Sequence, residues 1–250
     1  MRGALVGAVA LAIVALVVGW RAPAKEGRSA EAQPTPTSQP RAACTARSFR
    51  RLGSPRAAYA AVVRTRATAY RRPGRGPIAT FRRLNVNGVP NVLAVRGVLR
   101  AATCEPSWYR VQIPVRPNGT VAYVRARDVL VGRIRTRIVV DLSERRLTLF
   151  RDGRALLETT VAVGSAATPT PTGRFYVNQR LLSTDPAGPY GPAALGISAF
   201  SDVLTQWTQG GPIAIHGTNE PSSVGQPVSN GCIRVRNRTL RRVFATAIAG

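Results

Sequence analysis

A chain with a single histidine can build imidazole chemistry in only one place. Here that residue, His216, lies in the stretch Ile213–Asn237, IAIHGTNEPSSVGQPVSNGCIRVRN, sixteen residues before Cys232, one of only three cysteines. A thiol attacks a carbonyl as thiolate, and imidazole is the side chain best matched to removing its proton near pH 7. A fold that uses this chemistry must therefore bring His216 and Cys232 to one surface. Gly217, Gly225 and Gly231 allow tight turns and close approach of the backbone to a ligand. Gly231, directly before Cys232, suits a backbone whose N–H groups converge on the oxygen of an attacked carbonyl. Arg234, two residues past Cys232, falls on the same side of an extended segment and could hold a carboxylate in a two-pronged grip.

The surrounding chain reads as mainly β. Ile138–Leu142, Leu147–Arg151 and Leu156–Val163 form a meander with a turn at Asp152-Gly153. Thr168–Gly173, with prolines at alternate positions, suits an extended loop. Ser201–Trp207 reads as a short helix between turns at Gly188–Pro192 and Gly210–Pro212, and Asn237 as the cap of a last helix, Arg238–Ile248. Upstream, residues 43–132 form a small β unit. Its strands are expected at Ala67–Tyr70, Asn91–Val95, Trp108–Val115 and Thr120–Val124, with a hairpin turn at Pro117-Asn118-Gly119. Tyr59–Arg66 reads as an extra helical turn or a linker.

Several of these segments together resemble a known family. His216-Gly217-Thr218, Ser229 and Gly231-Cys232-Ile233-Arg234 are similar to the signature of the L,D-transpeptidases. The resemblance extends through VAVGSAATPTPTGRFYV (Val161–Val177) and GPYGPAALGISAFSD (Gly188–Asp202), and covers residues 134–250. It implies a YkuD-type β-rich catalytic domain whose cysteine takes an acyl group from a peptidoglycan stem peptide and passes it to an amine, without metal or cofactor. Cys232 and His216 would be catalytic. Gly231, Arg234, Ser229, Asn230, Thr218 and Gly217 would bind substrate or line the oxyanion hole. The segment WYRVQIPVRPNGTVAYV (Trp108–Val124) resembles the end of a bacterial SH3-like small barrel, giving a fold of SH3-like barrel followed by catalytic domain. An L,D-carboxypeptidase, in which water replaces the amine, is one alternative, and two features keep a catalytically inactive wall-binding protein open as another. Asn230 stands where the family often has a second histidine, and relatives usually continue past the equivalent of Gly250 into one more strand.

Charge and cysteines bound the setting. The net charge is +25, and of 36 basic residues only Lys25 is lysine. Between Thr45 and Arg127 seventeen arginines face one acid, Glu105. Such a balance attracts polyanions, here anionic wall polymers or membrane headgroups. No zinc-finger spacing, basic zipper or aromatic RNA-binding signature accompanies it, so nucleic acid is not an expected partner. Gly3–Trp20 carries no charge and forms a hydrophobic helix within residues 1–21, either a signal peptide or a membrane anchor. Residues 22–42, rich in Pro, Ser, Thr and Ala, read as a disordered linker. An exported protein is expected to pair Cys44 with Cys104 and keep Cys232 free. None of the cysteine spacings has the short CxxC form of a zinc site, so no metal is expected.

Overall fold

A computed structural model describes residues 48–250; the hydrophobic segment, the linker and Cys44 lie outside the described residues. Within them, short strands rich in Val, Ile, Leu and Ala dominate, and each sheet is built by antiparallel hairpins with two parallel exceptions.

The first sheet contains β1 (Phe49–Arg51), β2 (Ala58–Val63), β3 (Arg66–Arg72), β4 (Arg75–Arg82), β5 (Val92–Arg100), β6 (Pro106–Gln112), β7 (Val121–Arg125) and β8 (Val129–Ile134). Its strand order is β4-β3-β7-β6-β5-β2-β8, with β1 added on β5. The expected hairpin at Pro117-Asn118-Gly119 joins β6 to β7, where Gly119 adopts a positive φ of 82°. Alternation is clean in β7, where Ala122 and Val124 point into a core with Val63, Leu93, Val111 and Ile113.

The expectation of a helical turn or linker at Tyr59–Arg66 is corrected, because this stretch supplies β2 and the start of β3. β2 is paired on both sides, by β5 and β8. Ala61 enters the main core, while Ala60 enters a second cluster with Val92 and Ile134 on the other face. A strand covered on both faces loses the two-residue alternation that would reveal it.

The second half begins with the three-stranded meander β9 (Thr136–Asp141), β10 (Arg146–Arg151) and β11 (Arg154–Thr160), joined between the last two at Asp152-Gly153, both at positive φ. β12 (Val163–Gly164) pairs in parallel with β16 (Pro227–Ser229). The sheet that carries the site has the order β13 (Val177–Leu182), β14 (Ala193–Phe200), β15 (Pro212–His216), β17 (Ile233–Arg234). Its inner face, with Leu195, Ile213, Ile215 and Ile233, packs with Leu240 and Val243 of helix α1 (Asn237–Thr246) in one core. Burial of these side chains, at about 1.5–3 kcal/mol each, fixes which face of the sheet is left open.

Two local expectations differ. Ser201–Trp207 forms bends rather than a helix: Ser201 Oγ accepts the N–H groups of Val203 and Leu204, offering the backbone an alternative to helical bonds. Asn237 does not cap α1. That position is taken by Arg236, with no side-chain cap, and Asn237 Oδ1 instead accepts the Thr218 N–H at 2.8 Å. Among the described residues no helix is long and apolar enough to cross a membrane.

Candidate active site

Strand register places the chemistry. β15 and β17 run parallel, with Ile215 beside Ile233 and His216 beside Arg234. The two isoleucines face the core, so His216 and Arg234 face the other way. Two-residue periodicity puts Cys232 on that same open face, next to Ala214 and diagonal to His216. Diagonal neighbours on paired strands lie roughly 7–8 Å apart, within reach of an imidazole.

The imidazole is buried, with 4% exposure. Its Nδ1–H donates to the Gly217 carbonyl at 2.6 Å, which leaves Nε2 as the basic nitrogen. Tyr190 stands edge-on to the ring at 5.0 Å; this aromatic lies in the quoted Gly188–Asp202 segment but carries no polar signal by which composition alone would select it. Burial lowers the His216 pKa to about 4, opposed by the Gly217 hydrogen bond and reinforced by the charge of Arg234. Burial raises the Cys232 pKa, while a backbone hydrogen bond from Ala214 and Arg234 pull it down. Both shifts favour a resting pair of neutral thiol and neutral imidazole, so proton transfer accompanies attack rather than preceding it.

The segment before Cys232 is held by hydroxyls. Ser229 is buried; its Oγ donates to the Cys232 carbonyl at 2.5 Å and accepts the Gly231 N–H at 3.2 Å. The Gly231 amide is therefore turned inward to Ser229. Thr170, also buried, accepts the Gly164 N–H at 2.8 Å and donates to the Gly231 carbonyl at 2.9 Å. Because C=O and N–H of a trans peptide point in opposite directions, anchoring Gly231 O aims the Cys232 N–H away from Thr170. Sequence reading missed Thr170, although its alternation with Pro169 and Pro171, which have no N–H, marks a loop whose bonds must come from side chains. Gly231 adopts φ of 105°, and a Cβ there would lie 2.9 Å from Ile213 Cδ1.

The loop after His216 is set by contact with α1. A Cβ on Gly217 would lie 2.2 Å from Asn237 Oδ1 and 3.0 Å from Gly191 Cα. Thr218 is buried and accepts the Glu220 N–H at 3.0 Å. Arg234 pairs with the chain's own Glu220 through a single contact, Nη1 to Oε2 at 2.8 Å. Asn230 is exposed, beside the buried Ser229. Structure thus gathers Cys232, His216, Gly217, Thr218, Ser229, Gly231 and Arg234 around one end of β15 and β17.

Cys232 is a free cysteine. Cys104 is disulfide-bonded, and its expected partner Cys44 lies outside the described residues. Among the described residues no three His, Cys, Asp or Glu side chains cluster as a metal ion would need.

A thiol, a neutral imidazole and an aimed amide on one open sheet face are the equipment of cysteine acyl transfer. Residues 135–250 match the family profile of the YkuD L,D-transpeptidase catalytic domain. It is 38% identical over 101 residues to the candidate L,D-transpeptidase YkuD of Bacillus subtilis, covering 40% of this chain and 54% of that protein. The corresponding candidate of Bacillus licheniformis is 39% identical over 102 residues, covering 41% and 54%. The chain spans about half the length of these curated relatives. The NMR structure of the catalytic domain from an E. faecium L,D-transpeptidase is similar at 25% identity over 46% of this chain and 92% of that one, with a TM-score of 0.34.

Proposed function

We propose that the protein is a peptidoglycan L,D-transpeptidase. The observation that carries this reading is the shared open face of Cys232 and His216, inside a segment of the YkuD catalytic type. His216 Nε2 takes the Cys232 proton as Sγ bonds to the carbonyl carbon between the third and fourth residues of a stem peptide. The Cys232 N–H stabilises the oxyanion. The C–N bond breaks, D-alanine leaves with the proton returned by His216, and a thioester remains. An acceptor amine then bonds to the acyl carbon, the C–S bond breaks, and the amine's proton returns through His216 to sulfur. Arg234 exchanges Glu220 for a substrate carboxylate, and Thr218, Ser229 and Asn230 shape the surrounding loops.

The uncharged run Gly3–Trp20 supports export, as a secreted or membrane-anchored protein acting in the wall or periplasmic space, and export supports a Cys44–Cys104 disulfide. The sheet of Phe49–Ile134 is assigned as an SH3-like wall-binding unit on the strength of the Trp108–Val124 hairpin, and its arginines as ligands of anionic wall polymers or headgroups.

Exposing the full chain to a carbapenem and weighing it tests the reading. One covalent adduct on Cys232 is expected, and its absence supports a non-catalytic wall-binding protein. Product analysis with a tetrapeptide donor, with and without an amine acceptor, separates transfer from carboxypeptidase hydrolysis: cross-linked product is expected, and hydrolysis alone contradicts transfer.

A further inference from the structure

His216 is the last residue of β15, and a glycine follows it. The imidazole Nδ1 bonds to the carbonyl of that same glycine, Gly217, at 2.6 Å. A bond between chain neighbours restrains the ring weakly, because glycine has the freest backbone of any residue. The orientation of the base therefore depends on support from another part of the fold.

That support comes from the β13–β14 connection, residues 183–192. Its own bonds close it: the Ser183 N–H donates to the Pro192 carbonyl at 3.0 Å, the Gly188 N–H to Asp185 and the Gly191 N–H to Gly188. Ser183 Oγ donates to the Asp185 carbonyl and accepts the Asp185 N–H, and Asp185 Oδ1 accepts the Ala187 N–H. The end of this connection lies along His216–Thr218. The Tyr190 ring meets the imidazole with centroids 5.0 Å apart and planes at 66°, an edge-on arrangement that aromatic rings favour. Gly191, at φ 61°, comes so close that a Cβ on it would lie 2.7 Å from Gly217 Cα and 2.9 Å from the Thr218 nitrogen. A Cβ on Gly217 would in turn lie 2.9 Å from Pro192 Cδ. Tyr190, Gly191 and Pro192 thus brace both the imidazole and the glycine that anchors its Nδ1.

Exposure separates their roles. His216 is 4% exposed and Tyr190 57%, so the tyrosine ring stands between a buried imidazole and solvent. We propose that Tyr190 is a positioning residue for the reaction, its ring fixing the His216 imidazole toward Cys232 and keeping water off it. The inference rests on the acyl-transfer reading of Cys232. Around the imidazole, β17 contributes Cys232 and Arg234, the following loop contributes Glu220, bound to Arg234, and β14 contributes the uncharged Ala194. Tyr190 is uncharged below pH 8, so replacing it changes the cover of the ring without changing the charge around it.

The test uses the full chain and two readouts, the rate of Cys232 acylation by a carbapenem and the NMR titration of the single imidazole. Tyr190→Ala is expected to slow acylation about tenfold through misplacement of the base. As water reaches the ring, its midpoint is expected to rise from about 4 by about one pH unit, and the acid limb of the acylation rate with it. Tyr190→Phe, which keeps the ring, is expected to restore both readouts. Tyr190→Leu, which keeps apolar bulk without a ring, is expected to fall between Tyr190→Ala and Tyr190→Phe in both. Slower acylation with an unmoved midpoint assigns Tyr190 to substrate contact and overturns the proposal. A raised midpoint with unchanged acylation, no change in either readout, or equal losses in Tyr190→Phe and Tyr190→Ala also overturns it. Absence of adduct in the unmutated chain rejects the acyl-transfer reading separately, and the titration still judges whether Tyr190 covers the imidazole.

Discussion

Replacing His216 by glutamine removes the one imidazole, and with it a definite pH dependence of stability. In the folded protein its pKa is lowered to about 4, from an ordinary 6.5, chiefly by burial. Above pH 6.5 the group is neutral in both states and folding is unaffected. As pH falls below 6.5 the unfolded chain takes up a proton that the folded chain refuses, so stability is lost progressively until pH reaches about 4. At 1.36 kcal/mol per unit the loss over that window is about 3 kcal/mol, undiscounted because the ring is only 4% exposed. Urea unfolding of the unmutated chain and of His216→Gln across pH 7.5 to 4 measures it as the difference between two slopes, with carboxylate contributions common to both. The imidazole resonance, unassigned ambiguity being impossible with one histidine, gives the same pKa by NMR. Parallel stability curves, or an NMR midpoint near 6.5, would refute the reasoning. For kcat/KM the same shift puts the acid limb near 4, since that profile reports the free enzyme.

Thr170→Val leaves the part-buried Gly164 N–H and the buried Gly231 carbonyl unpaired and is expected to cost about 2 kcal/mol in denaturant unfolding; kcat falls at least about tenfold because the Cys232 amide is no longer aimed. Glu220→Gln frees Arg234 for a substrate carboxylate, so KM is expected to fall, by up to about fivefold for an exposed pair; a rise in steady-state KM would contradict that exchange. Gly217→Ala pushes a methyl into Asn237 and Gly191 and should destabilise by about 2 kcal/mol, read as a lowered thermal midpoint.

The three-stranded meander was legible in the chain, because its alternation and its Asp152-Gly153 turn obey local rules, whereas the strands of the site sheet were not picked out. The meander of β9 to β11 and helix α1 follow directly from alternation and from the Leu240, Val243 spacing. The Cys232 and His216 pair was legible through scarcity, and the half-buried Arg234 through its spacing from Cys232. What escaped is non-local. β2 hid because both its faces are covered. Asn237 looked like a helix cap because capping is a local preference, whereas its actual partner, Thr218, is set by two glycines packed against it from distant loops. Thr170 acts through the Gly231 carbonyl, more than sixty residues away in sequence, and no periodicity encodes such a pair.

The most direct measurement is the intact mass of the full chain, quenched during reaction with a stem tetrapeptide in the absence of an acceptor. The account predicts a species heavier by the tetrapeptide less D-alanine, with the added mass on the peptide that contains Cys232 and absent from Cys232→Ala. D-alanine release that persists in Cys232→Ala, or an acyl group carried on any other residue, would contradict it.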